Sequence, residues 1–270
     1  MARREYSGKV VVITGAAGGL GRALAERYAQ AGANLALLDL RLEDLGPLVN
    51  ELNDTGVSIL AVDCDVTDEQ ACRRALNIVD ERFGKVDVLI NNAGITHRSV
   101  FAETDCAVIR KVVEVNLFGS MHCTKHALDK LIAGRGQIIV ISSVAGLGPL
   151  DGRAGYAASK HALHGMFETL RSELRGQGVR VTIVCPTFIA TGIGAAALGG
   201  NGQPAPQSQA TVGRVAGAKE IADEIFLAAS KEQRLLIPSF TGRLAHRIQQ
   251  LFPALYERLM SRSVRAEFEE

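Results

Sequence analysis

The chain has 270 residues, 47% of them apolar and 22% charged, and a formal net charge of +1. That length can fill one large α/β domain. The near-neutral balance argues against a nucleic-acid binder or an acidic scavenger, and no apolar run reaches the roughly 18 to 20 residues of a membrane-spanning helix.

Residues Met1 to Tyr6 lead into a strand with no apolar signal region after the arginines, so secretion is not expected. The five cysteines are Cys64, Cys72, Cys106, Cys123 and Cys185. Their odd number and the lack of a C-x-x-C pair read as reduced thiols of a cytoplasmic protein, with no metal site.

The first strand is expected at Val10-Val11-Val12-Ile13. It runs into Thr14-Gly15-Ala16-Ala17-Gly18-Gly19-Leu20-Gly21, and Leu20, Leu24 and Tyr28 then follow helical spacing. Glycines let backbone amides approach a pyrophosphate, and the helix start adds free N–H groups and a favourable dipole. Two glycine patterns fit: Gly15, Gly19 and Gly21, or Gly15, Gly18 and Gly21. The second strand, Leu35 to Leu38, ends at Asp39. A carboxylate there can accept from ribose hydroxyls and repels a 2′-phosphate. With Leu40 rather than a basic residue next, NAD is favoured over NADP, although Arg41 lies near.

Further apolar runs lie at Ile59 to Val62, Val86 to Ile90, Gln137 to Ile141, Val179 to Val184 and Leu235 to Ile237. Val/Ile-rich runs without polar alternation are strands buried on both faces. Helical stretches between them predict a seven-stranded parallel sheet with helices on both faces, a Rossmann-type doubly wound α/β fold in one domain.

Asn116 interrupts a helical pattern, and as an isolated residue it reads as structural. Ser143 follows the fifth strand, where its hydroxyl could anchor a substrate oxygen or cap a turn. Tyr156 and Lys160 are four apart and share a helix face. A neighbouring ammonium and the positive nicotinamide ring both favour the phenolate, so the Tyr156 pKa is expected to fall and to suit acid/base work. Residues 192–217, rich in Gly, Ala and Gln, read as a mobile substrate lid. Thr96, His97, Phe101, Leu147, Leu150 and Phe188 are the candidate pocket residues, because they follow the motif strands.

From Gly242 to Arg265 apolar residues at helical spacing lie among arginines, and Pro253 divides two helices of a C-terminal extension. This extension could pack on a partner subunit, cover the cleft, or lie on a membrane surface.

Jointly the glycine loop, Asp65-Val66, Asn91-Asn92-Ala93-Gly94, Asn116, Ser143, Tyr156-x-x-x-Lys160 and Pro186-x-x-x-x-Thr191 resemble the short-chain dehydrogenase/reductase family. They stand in family order and at family spacing across residues 10–191, and they favour the single-domain branch and its Gly15, Gly19, Gly21 pattern. The resemblance implies hydride transfer between a nicotinamide and a small-molecule secondary alcohol or ketone of lipophilic character. It implies Tyr156 as the acid/base, Lys160 as the group that lowers its pKa and holds the ribose, Ser143 as the oxygen anchor and Asn116 as the holder of a relay water. Asp65 and Val66 would contact adenine, and Asn92, Ala93 and Gly94 would line the adenosine side. Pro186 to Ile189 with Thr191 would hold the carboxamide, and a homotetramer or homodimer is implied. One departure is Thr187 where the family usually has Gly, which leaves the turn uncertain if it needs a positive φ. A dinucleotide sensor without turnover is the competing reading, and the complete set of four catalytic candidates argues against it.

Overall fold

The structure is a computed structural model, and it describes residues 4–206 and 214–264. Seven parallel strands form one sheet in the order β3-β2-β1-β4-β5-β6-β7. They are β1 (Val10–Thr14), β2 (Asn34–Asp39), β3 (Ile59–Asp63), β4 (Val88–Asn91), β5 (Gln137–Ile141), β6 (Arg180–Val184) and β7 (Leu235–Leu236). All seven expected runs are strands, the last reduced to two residues at the sheet edge. β1 pairs with β2 from Val10↔Asn34 to Thr14↔Leu38, and on its other side with β4 at Val11↔Val88. The winding reverses between β1 and β4, so the loops after these strands part and leave a crevice at their C-terminal ends.

Alternation along each strand feeds two cores. Val11, Ile13, Leu35 and Leu37 face one side, packed with Leu24 and Tyr28 of α1 (Gly19–Gln30), Leu45 and Leu48 of α2 (Leu42–Leu52) and Ile225 of α7 (Ala218–Ser230). Val10, Val12, Ala36 and Leu38 face the other. There they meet Val79 of α3 (Glu69–Phe83), Leu131 of α5 (Gly119–Ala133) and Phe167 of α6 (Ala154–Glu173). Both strand faces are apolar because both are covered, and each fully buried Leu, Val or Ile contributes roughly 1.5–3 kcal/mol.

Between α4 (Cys106–Val113) and α5 the chain makes one π-helical turn, Glu114–Phe118, with Asn116 at its centre. A π-turn in an otherwise α-helical stretch often marks a functional position. The extension forms two helices, α8 (Phe240–Leu251) and α9 (Pro253–Val264). The Ser239 hydroxyl caps the first by accepting from the Gly242 amide at 2.9 Å, and Pro253 opens the second. Arg265, the end of the expected extension, lies outside the described residues.

Residues 207–213 of the expected lid also lie outside the described residues. In the described part preceding them, Leu198 and Gly200 are hydrogen-bonded to the loop before α4. Leu198 donates to the Thr96 carbonyl at 3.0 Å and accepts from the Arg98 amide at 2.7 Å, while Asp105 donates to Gly200 at 2.8 Å. These bonds come from the loop between β4 and α4, a distant partner that composition alone does not disclose.

Candidate active site

A single cleft of about 1200 Å³ runs along the C-terminal edge of the sheet. At one end lies the glycine loop. Gly15 has φ +64°, and a Cβ there would stand 2.9 Å from the Ala93 backbone. A Cβ on Gly21 would run into the Gly15 carbonyl oxygen, and one on Gly19 would press on Thr191 at 3.1 Å. Gly18 is extended and its Cβ would make only a 3.4 Å contact. Sterics therefore single out Gly15, Gly19 and Gly21, the first of the two patterns. With Leu20 all four of these glycines line the cleft.

α1 begins here with Gly18 as its N-cap, with no side-chain cap and no acid in its first turn. Its leading amides are thus open to an external anion. Asp39 buttresses the loop: its Oδ2 accepts from the Ala17 amide and its Oδ1 from the Leu40 amide, both at 2.8 Å. The carboxylate also lines the cleft. Arg41 forms a 2.8 Å ion pair with Asp44.

Asp65 and Val66 line the same end. The Asp65 carboxylate is occupied by Thr67, accepting from its amide at 2.9 Å and its hydroxyl at 2.7 Å, so it shapes a turn. Asn92, Ala93 and Gly94 also line the cleft. The Asn92 amide group donates to the Thr14 and Gly15 carbonyls at 3.0 Å each, which ties β4 to the glycine loop. A Cβ on Gly94 would lie 3.1 Å from Asn116 Oδ1 and 3.5 Å from Lys160 Nζ, so Gly94 belongs to the catalytic end. Thr14, read only as part of the loop motif, accepts from the Asn92 and Ala93 amides at 3.0 Å each.

The other end gathers Ser143, Tyr156 and Lys160, which all line the cleft. Ser143 caps the short turn after β5, accepting from the Ala145 amide at 3.2 Å. Ser142 points away, its hydroxyl donating to the Lys160 carbonyl at 3.2 Å. Lys160 is 4% exposed, and its ammonium donates to the Ile141 carbonyl at 2.8 Å, 5.6 Å from the Tyr156 ring centre. Burial holds the Lys160 pKa down to about 8.

In the protein alone burial raises the Tyr156 pKa, while the neighbouring Ser143 hydroxyl and the Arg153 charge act against that rise. The ammonium is held by the Ile141 carbonyl, so it does not by itself overcome the cost of a buried phenolate.

Asn116 is fully buried and braces rather than faces the cleft. Its Oδ1 accepts from the Ile95 amide at 2.8 Å, and its Nδ2 donates to the Ile95 carbonyl at 3.0 Å and the Ser159 hydroxyl at 2.9 Å. Both amide protons are thus in use. A relay water is left the remaining Oδ1 lone pair or backbone carbonyls around the π-turn.

Pro186, Ile189 and Thr191 line the cleft beyond β6. Thr187 lines it too and has no positive φ, so the missing glycine imposes no strain. None of Thr96, His97, Phe101, Leu147, Leu150 and Phe188 lines the cleft; Ile95, Thr187, Gly192 and Ile193 do. Phe101 is 71% exposed. His97 is buried, its Nε2 accepting from the Gly155 amide at 2.9 Å, and burial lowers its pKa to about 4. Leu147 instead faces a small cavity shared with α8 and Tyr256 of α9. Following a strand in sequence does not fix which way a long loop turns, and that misdirected these assignments.

The extension touches the body through Tyr256, while Phe240, Leu244, Leu251, Phe252, Leu255 and Leu259 stay exposed. A Cβ on Gly148 would lie 3.0 Å from the Tyr256 ring, so α9 rests directly on the loop that begins at Ser143.

A family model described as short chain dehydrogenase matches residues 9–199. The chain is 35% identical over 266 residues to dehydrogenase/reductase SDR family member 7B of Rattus norvegicus, covering 96% of this chain and 82% of that protein. It is 33% identical to a dehydrogenase/reductase SDR family protein 7-like of Dictyostelium discoideum, covering 94% and 81%. A short chain dehydrogenase/reductase from Burkholderia phymatum, solved with NAD, superposes at TM-score 0.80 with 30% identity over 92% of this chain and 96% of that one. An alcohol dehydrogenase from Thermococcus sibiricus, solved with 5-hydroxy-NADP, superposes at TM-score 0.74 with 27% identity over 86% and 95%.

Proposed function

The chain belongs to the short chain dehydrogenase family of oxidoreductases, and from that premise we propose that it interconverts a lipophilic secondary alcohol and its ketone, using NAD and Tyr156. The carrying observation is that one cleft joins the open α1 N-terminus and Asp39 at one end to Ser143, Tyr156 and Lys160 at the other.

The residues fit a dinucleotide. The glycine positions keep the α1 amides bare for a pyrophosphate, and Asp39 keeps carboxylate lone pairs for ribose hydroxyls. Asp39, with Arg41 paired to Asp44, favours NAD over NADP. When bound, the nicotinamide supplies the hydride acceptor for oxidation or the donor for reduction.

Ser143 Oγ donates to the substrate oxygen and fixes it beside the phenol. In oxidation Tyr156 Oη takes the hydroxyl proton; in reduction it returns one. The raised Tyr156 pKa suits a phenol that keeps its proton until an adjacent positive charge arrives, as the oxidised cofactor carries. Lys160 adds its ammonium to that field while ionised. Asn116 holds the Ile95 loop and Ser159 of α6, so it positions the helix that carries Tyr156 and Lys160. Ile95, Ile189 and Ile193 give the substrate end an apolar lining, which supports a lipophilic substrate.

The test is a fluorescence titration with NADH and NADPH, followed by NADH consumption over a panel of apolar and polar ketones. The proposal expects tighter NADH binding and turnover of apolar ketones. NADH binding without turnover of any ketone would favour a sensor.

A further inference from the structure

Three thiols meet behind the adenosine end of the cleft and take no part in the reaction above. Cys64 follows β3, Cys72 lies in the first turns of α3 and Cys123 lies on α5. The Cys72 sulfur is 3.9 Å from Cys64 Sγ and 3.6 Å from Cys123 Sγ. All three are buried, but Cys64 lines the cleft and the other two do not. A small reagent in the open cleft therefore meets Cys64 first. Closing 3.9 Å to a disulfide bond of about 2.05 Å calls for a sulfur movement of about 2 Å, within reach of side-chain rotation and a small backbone shift. The segment between the two cysteines holds Asp65, Val66 and Thr67, which line the cleft. Cys72 Sγ also lies 3.6 Å from the Val66 carbonyl, so the sulfur and the cleft wall already touch.

We propose that Cys64 and Cys72 form a peroxide-responsive thiol pair whose disulfide constrains the 64–72 loop and weakens dinucleotide binding. Cys64 thiolate attacks one peroxide oxygen, the O–O bond breaks, and hydroxide leaves to become water on protonation. The Cys72 thiol then attacks the sulfur of the Cys64 sulfenic acid, forming the S–S bond and expelling a second water. Overall two thiols and one hydrogen peroxide give one disulfide and two waters. Hydrogen bonds from the neighbouring Cys123 and Cys72 thiols favour negative charge on Cys64 and draw its pKa down. Bound dinucleotide would cover Cys64, so cofactor occupancy protects the pair. That protection and the change in affinity rest on the cofactor reading of the cleft; the cross-link itself does not.

The experiment treats full-length protein with hydrogen peroxide, with and without saturating NADH. It reads intact mass, non-reducing peptide maps and the NADH titration. The expected result is loss of two hydrogens in mass, a Cys64–Cys72 linked peptide, weaker NADH binding that dithiothreitol reverses, and slower cross-linking with NADH present. Oxidation confined to the exposed Cys106, or a Cys72–Cys123 link in place of Cys64–Cys72, would overturn the proposal. So would a Cys64–Cys72 link that leaves NADH affinity unchanged. If NADH fails to bind untreated protein, the cofactor reading fails while the peptide map still tests the pair. Cys64→Ser should form no link at Cys72. Should that variant misfold, alkylation of wild type settles the order: iodoacetamide is expected to label Cys64 before Cys72 and Cys123, and the reverse order contradicts it.

Discussion

The two ends of the cleft are built by different means. The dinucleotide end is mostly backbone: the bare amides of α1, glycines with no room for a Cβ, and an Asp39 carboxylate that braces the Ala17 amide. The catalytic end is mostly side chains held by distant partners: Lys160 by the Ile141 carbonyl, Asn116 by Ile95 and Ser159, and the Ser143 loop covered by Tyr256. The first should fail through steric change and the second through chemical change. Substitutions can separate the two.

Lys160→Met should show the widest split. Turnover is expected to fall by roughly 10²–10⁴-fold, the scale of a lost acid/base partnership, while thermal stability should not fall at neutral pH. Burial lowers the Lys160 pKa from 10.5 to about 8. Between those values the unfolded chain binds more protons than the folded one, so this residue makes stability rise with pH across that window. At neutral pH its ionised form opposes folding. Thermal melts at pH 7 to 10 should therefore show a rise in wild type relative to the methionine variant.

Gly21→Ala carries the steric counterpart. Its Cβ would meet the Gly15 carbonyl oxygen, so a loss of about 1–3 kcal/mol is expected in chemical denaturation, with weaker NADH binding. His97→Gln probes the scaffold beneath the catalytic end. With its pKa lowered from 6.5 to about 4, His97 contributes stability that is present above pH 6.5 and lost as pH falls toward 4. Melts from pH 7 to 4 should decline less steeply in the glutamine variant than in wild type. Gly18→Ala is the smallest: with its Cβ at 3.4 Å from the nearest atom, stability should move by no more than about 0.5 kcal/mol. A large loss at Gly18 and none at Gly21 would invert the steric account of the loop.

The same division explains what could be read from the sequence. The seven strands, Asp39 at the end of β2 and the glycine loop follow from local pattern, and local pattern fixed them. Ser143, Tyr156 and Lys160 carried a spacing that the sheet converts into proximity. The assignments that misled depended on where long loops turn. His97 looked like a pocket residue because it follows β4, yet it turns inward to accept from Gly155. Leu198 and Gly200 are held by Thr96, Arg98 and Asp105, about a hundred residues earlier in the chain, which local composition does not disclose. The Ile141 carbonyl that holds the Lys160 ammonium lies on β5, a partner that the Tyr156-to-Lys160 spacing does not disclose.

The most direct test of the central claim is single-turnover reduction by Tyr156→Phe, with NADH binding measured on the same protein. Removing this one oxygen should leave NADH affinity within about twofold and slow ketone reduction by at least about 10²-fold. Reduction at the wild-type rate, with NADH bound as before, would contradict the claim that this phenol moves the proton.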